Sequence, residues 1–124
     1  MILLDSSAWI EYFTKGPLSK EITHTIKSEE DILVPTIVIF EVYRKIKQLV
    51  SAEEGLIATA FLSSFDSIEL TREIALSAAD LSSEHHLGMA DSFILATAQH
   101  HNALLITLDH DFIKIPGVKV LKRK

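Results

Sequence analysis

The sequence contains no cysteine. That absence excludes a disulfide framework, thiolate zinc sites and cysteine nucleophiles, fits a reducing cytosol, and leaves only oxygen and imidazole donors for any metal. Glycine and proline are scarce, at four and three residues. They never cluster beyond a single Gly-Pro or Pro-Gly pair, so no linker interrupts the chain, and it carries no repeat or low-complexity tract. An excess of basic residues is missing too: the formal charge of -5 argues against a broad basic surface that holds nucleic acid by phosphate neutralisation alone, although a metal ion can supply local positive charge. Met1 is followed directly by Ile2-Leu3-Leu4 and Asp5, without the basic n-region or cleavage site of a signal peptide, so a cytoplasmic protein is expected. The longest uncharged stretch, Ser92 to Leu108, carries Gln99-His100-His101-Asn102 at its centre, which reads as a turn rather than the middle of a membrane span. With 124 residues, 48% of them hydrophobic, the chain is expected to form one domain over residues 1–124 with its own core.

The hydrophobic pattern alternates between two periods. Ile2-Leu3-Leu4-Asp5 reads as a buried strand ending in an acid, and Ser6 to Ile10 starts a helix that Gly16-Pro17 stops. Leu18, Ile22 and Ile26 mark one face of a second helix. Residues 31–34 read as a strand, and Ile37 to Val50 as a helix carrying Arg44, Lys45 and Lys47 outward. Ser51-Ala52-Glu53-Glu54 has the pattern of a capping box and predicts a helix to about Ser64. Ser67–Leu70 is a short strand. Thr71 to about His86 is a helix with Ile74, Ala75, Ala78 and Leu81 inward, closed by Gly88 as a C-cap. Asp91–His100 is the next helix, Ala103–Leu108 a fourth strand, and Val118–Leu121 a short last one. Near-continuous apolar strands alternating with helices predict an α/β fold, a three-layer α/β/α sandwich around a mostly parallel sheet of about five short strands. Sites in such sheets form beyond the strand carboxyl ends.

Four acids fall where that edge is expected. Singly, three have ordinary structural roles: Asp5 as a helix N-cap, Asp109 as a turn former after a strand, and Asp91 as a charge in a first helical turn. Glu41 differs, because its neighbours on the helix face are Val38 and Ile37. A buried, unpaired carboxylate is costly. Either Arg44, three residues on, pairs with it, or a cation is shared with other acids. In a parallel sheet all four can converge on one crevice, where mutual repulsion requires positive charge among them. An all-oxygen donor set suits Mg²⁺, or Mn²⁺, rather than zinc. Such an ion can activate a water and offset charge in phosphodiester hydrolysis.

These residues resemble the PIN-domain nucleases, and within them the VapC-type toxins of type II toxin-antitoxin pairs. The resemblance is carried by Leu4-Asp5-Ser6-Ser7-Ala8-Trp9-Ile10, the helix Thr36–Tyr43 with Glu41, Gly88-Met89-Ala90-Asp91-Ser92, and Thr107-Leu108-Asp109-His110-Asp111-Phe112. It implies that Asp5, Glu41, Asp91 and Asp109 are catalytic metal ligands, that Ser6 and Thr107 place hydroxyls near the site, and that the protein is a dimeric endoribonuclease toxin acting on single-stranded RNA. The expected partner is a small antitoxin whose extended segment covers the crevice and can place an arginine among the carboxylates. The chain departs from many relatives in the apolar lead-in His86-Leu87-Gly88-Met89-Ala90.

Other readings have less to carry them. A PIN-type nuclease in RNA maturation or on branched DNA would use the same chemistry, but small size and no added domain favour the toxin. A haloacid-dehalogenase-type phosphotransferase needs Asp-x-Asp where this chain has Asp5-Ser6-Ser7. A non-catalytic module keeping the acidic crevice is disfavoured by the presence of all four acids. The six histidines lack the spacing of a helical zinc site, and His110 reads as a solvated turn residue. Arg44, Lys45, Lys47 and the tail Lys122-Arg123-Lys124 are either phosphate contacts or a solvated face and a frayed terminus. Phe61, Leu62 and Phe65 are either core or a surface for a second subunit.

Overall fold

The structure is a computed structural model and describes residues 1–29 and 31–123. Five strands form one sheet: β1 (Ile2–Leu4), β2 (Ile32–Pro35), β3 (Asp66–Ile68), β4 (Leu104–Thr107) and β5 (Val118–Val120). Their order is β3-β2-β1-β4-β5, and every pairing is parallel. The register follows from composition. β1 and β2 are buried at every position, and β4 at all but its first, as strands covered on both faces must be. The edges β3 and β5 are short and partly exposed, which limits pairing with other chains.

The sheet is flanked by α1 (Ser6–Phe13), α2 (Ser19–Ser28), α3 (Thr36–Leu49), α4 (Ala52–Leu62), α5 (Arg72–His85) and α6 (Met89–His100). Helix α1 packs against α2 and α3, α3 against α4, and α5 against α6. Trp9 is fully buried and centres an aromatic cluster in which the Phe61 and Phe65 rings stand 6.1 and 5.6 Å away. Leu62 is core, whereas Phe61 remains partly exposed at the rim of that cluster. Among the described residues no helix is long and apolar enough to cross a membrane.

Local signals behave mostly as their chemistry requires. Ser51 caps α4 by accepting from the Glu54 amide at 3.1 Å, but among the described residues Glu54 returns no bond, so only half of the capping box forms. The expected closure of α5 by Gly88 is corrected. His86 takes the left-handed position at φ 56°, while Gly88 is extended and N-caps α6. Because α6 already begins at Met89, Gly88 serves as its N-cap and the end of α5 falls to His86. Because β1, β2 and β4 all run the same way, Asp5, the start of α3 and Asp109 emerge at one edge of the sheet.

Candidate metal centre

Asp5 is 3% exposed and sits at the junction of β1 and α1. It does act as the N-cap, accepting from the Ala8 amide at 3.1 Å through the same oxygen that accepts from the Ser7 hydroxyl at 2.6 Å. Its other oxygen accepts from the Thr107 hydroxyl. Thr107 is wholly buried at the end of β4, and its oxygen in turn accepts from the Asp109 amide at 2.9 Å. One hydroxyl therefore ties the acid after β1 to the backbone of the acid after β4. Asp109 caps a short 3₁₀ turn, His110–Phe112, by accepting from the Asp111 amide at 2.9 Å. The structural roles of Asp5 and Asp109 are real, and they fix both carboxylates at the same edge.

Of the two partners that the sequence left open for Glu41, the arginine is not used among the described residues. Arg44 has turned away, with its guanidinium carbon 5.3 Å from the centroid of the Phe40 ring, and among the described residues it forms no ion pair. Oxygen Oε1 of Glu41 is buried and has no hydrogen-bond partner among the described residues. Desolvation raises the Glu41 pKa; the Ser6 hydroxyl opposes this without closing to a hydrogen bond, the Asp5 charge adds to it, and distant Arg44 lowers it slightly.

Asp91, half-buried in the first turn of α6, reports the crowding most directly. Its pKa is pushed up to about 6, first by desolvation and then by the charges of Asp109, Asp5, Glu41 and Asp111. Asp5 is also raised, by burial above all, against hydrogen bonds from Ser7, Thr107 and the Ala8 amide, with Asp109 repelling it further. Asp91 thus stands within electrostatic reach of the other three acids singled out in the sequence and of Asp111 as well. Among the described residues no three of them converge tightly enough to chelate one ion in their present positions. A cation would draw in the half-exposed side chains of Glu41, Asp91 and Asp109. The donor set fits a hard cation on two counts: it is all oxygen, and the Glu41 oxygen lacks any other partner.

Two features escaped the sequence reading. Ser7, next to the expected Ser6, bonds Asp5, lies 3.3 Å from the Thr107 hydroxyl and accepts from the Leu108 amide at 3.0 Å. The Asp-Ser-Ser run places both hydroxyls in the first turn, and the helix geometry brings Ser7 to Asp5 and Ser6 near Glu41. Arg123, read as part of a basic tail, instead pairs with Glu11 of α1, which is 2% exposed. Lys124 of that tail lies outside the described residues.

The chain belongs to the PIN-domain family, whose model matches residues 2–118. PIN domains are typically nucleases and generally bind Mg²⁺. No protein with a curated functional description matches. Among solved structures, the chain is similar to a toxin-antitoxin complex from Klebsiella pneumoniae, at 29% identity and a TM-score of 0.82, covering 99% of this chain and 100% of that one. VapC20 of Mycobacterium tuberculosis, a sarcin-ricin-loop-cleaving toxin, matches with a TM-score of 0.81 at 14% identity over 94% of this chain and 95% of its own. VapBC2 of Rickettsia felis, bound to a DNA fragment from its promoter, matches at 0.77 and 21% identity over 98% of each. The fold is thus that of VapC toxins, several of which were crystallised with their antitoxins.

Proposed function

We propose that the chain is a single-domain, Mg²⁺-dependent endoribonuclease and the toxin of a type II toxin-antitoxin pair. The observation that carries this reading is the buried, unpartnered Oε1 of Glu41 in a crevice shared with Asp5, Asp91 and Asp109. Glu41, Asp91 and Asp109 would hold the cation together with the outward lone pairs of Asp5. When bound, Mg²⁺ supplies a lowered pKa for a coordinated water and positive charge opposite the developing phosphorane and leaving oxygen. The protein's own part is preorganisation. Ser7 and Thr107 lock the Asp5 carboxylate in one rotamer, and Thr107 positions the backbone that carries Asp109. Without a cation, burial and the neighbouring acids push the Asp91 pKa up to about 6; a cation held among them would offset that repulsion and keep Asp91 in the ionised form that ligates it.

The likeness to toxin-antitoxin complexes supports a protein partner for this chain: a small antitoxin that occupies the crevice, with an arginine supplying the positive charge the acids lack. A homodimer is part of the same proposal. The test is cleavage of total cellular RNA by antitoxin-free protein with Mg²⁺, with a chelator, and with Asp91→Asn. Cleavage lost in both controls supports the metal nuclease. Folded protein that never cuts RNA overturns it, and cutting of branched DNA in preference to RNA would move the activity to another substrate with the same centre.

A further inference from the structure

A cleft of about 670 Å³ opens directly beside the acidic crevice and shares Ser7 and Asp109 with it. Its volume lies in the range of clefts that bury small organic ligands. Away from the shared wall its character changes. Lys45, Leu49, Leu121 and Arg123 line it, so a cation and an apolar surface succeed the carboxylates. Lys45 is exposed, and among the described residues no acid pairs with it. It follows Glu41 by four residues on α3, hence stands on the same helix face one turn away, roughly 6 Å along the axis. That is about the step of one nucleotide in an extended strand.

Arg123 contributes differently. Its guanidinium is engaged on two nitrogens by Glu11, which fixes its plane while leaving most of the side chain in solvent. Leu49, 57% exposed, is an apolar side chain that the fold itself does not cover. A guanidinium held in one plane next to exposed aliphatic surface is a platform on which a nucleobase can stack without sequence preference. The chain is acidic overall and its crevice more so, so the substrate's phosphates must be attracted by cations placed to one side of the carboxylates.

We infer that this cleft is the subsite for the nucleotide adjoining the scissile phosphate, with Lys45 contacting the neighbouring phosphate and the Arg123 plane, Leu49 and Leu121 receiving the base. The inference rests on the carboxylates being an RNA-cutting centre, and it adds where the strand goes and what holds it. The occupant is single-stranded RNA because the cleft sets an exposed lysine one helical turn from Glu41 for a phosphate and an arginine plane with exposed aliphatic surface for an unpaired base.

The test uses the full chain and a fluorescent single-stranded oligouridylate. Binding is measured by anisotropy with Mg²⁺ in an Asp91→Asn background, and cleavage is measured separately in the otherwise native protein. Lys45→Ala should weaken binding about 5- to 10-fold and lower the slope of log affinity against log salt by about 0.7, as loss of one phosphate contact to a single strand requires. In cleavage it should raise KM and leave kcat nearly unchanged, and Lys45→Arg should restore both. Unchanged affinity, salt slope and KM in Lys45→Ala, with cleavage intact, would overturn the subsite alone and leave an extended peptide as the better occupant. Loss of affinity at Lys45 in a protein whose native form cuts no RNA would support the subsite while overturning the nuclease. Native protein that neither binds nor cuts the oligonucleotide overturns both.

Discussion

Glu11 and Glu41 are both glutamates on helices that pack over the sheet, yet the molecule treats them in opposite ways. Glu11 is buried, accepts from the Leu18 amide at 2.9 Å and pairs with Arg123, which more than offsets its desolvation and lowers its pKa. Glu41 has one oxygen without a partner among the described residues, lies near the charge of Asp5 and has its pKa raised, by burial above all. A charge that serves architecture is neutralised by the chain itself. A charge left unneutralised, where an arginine three residues away has gone to an aromatic ring instead, is stored for something that the chain does not contain.

The sharpest way to break this contrast is to neutralise each side. Glu41→Gln and Asp91→Asn should each reduce Mg²⁺-dependent RNA cleavage by about 100-fold or more without unfolding the protein; gel assays of RNA with a circular-dichroism check decide it, and near-native cleavage by either variant would remove that acid from the centre. At the other site the expected damage is to stability. Arg123→Ala leaves Glu11 buried without its partner and should lower Tm by several degrees, most of which Glu11→Gln in the same chain should restore. Gly16→Ala should act through the same pair, because a β-carbon there would overlap the Glu11 carboxylate. Equal Tm values for Arg123→Ala and the native protein would show that the pair is not structural.

A smaller effect separates the two sites by pH. Folding raises the Asp91 pKa from 3.8 to about 6, so in metal-free protein its ionisation costs stability. The cost is absent below the ordinary value, grows through that window as pH rises, and is complete above about pH 6. Asp91→Asn should therefore raise Tm by a few degrees at pH 7.5 in chelator and by almost nothing near pH 4. Glu11, whose pKa is lowered, contributes with the opposite sign: its pair stabilises the fold at neutral pH and loses that contribution as pH falls through its depressed pKa. The smallest expected change is the gain in Tm on adding Mg²⁺ at pH 7.5, present in the native chain and reduced in Asp91→Asn; equal gains in both would place the ion elsewhere.

The sequence made one of these two sites legible and concealed the other for a physical reason. Strands such as Ile2–Leu4 and Ile32–Pro35 are apolar throughout because both sheet faces are covered, and a parallel sheet then dictates that Asp5 and Asp109 share an edge. Glu41 stood out because its misfit is local, visible against Ile37 and Val38 on the same helix. The solution to Glu11 lies 112 residues away at Arg123, and no periodicity reports a partner at that separation. The bond from Ser7 to Asp5, and the exchange of His86 for Gly88 as the end of α5, are decided by side-chain direction and by one left-handed backbone angle. Both lie below what spacing resolves. The shape of the cleft beside the crevice was equally hidden, since its walls come from α1, α3, the turn after β4 and the segment after β5.

The hydroxyl of Thr107 bridges the first acid of the chain to the last of the four. During synthesis, residue 5 leaves the ribosome long before residue 107 has been joined, and β1 has no β4 to pair with in that interval. The crevice cannot assemble piecemeal, so an unfinished chain is unarmed. If the domain is a nuclease, the fold itself postpones its action until the chain has been made through β4 and Thr107.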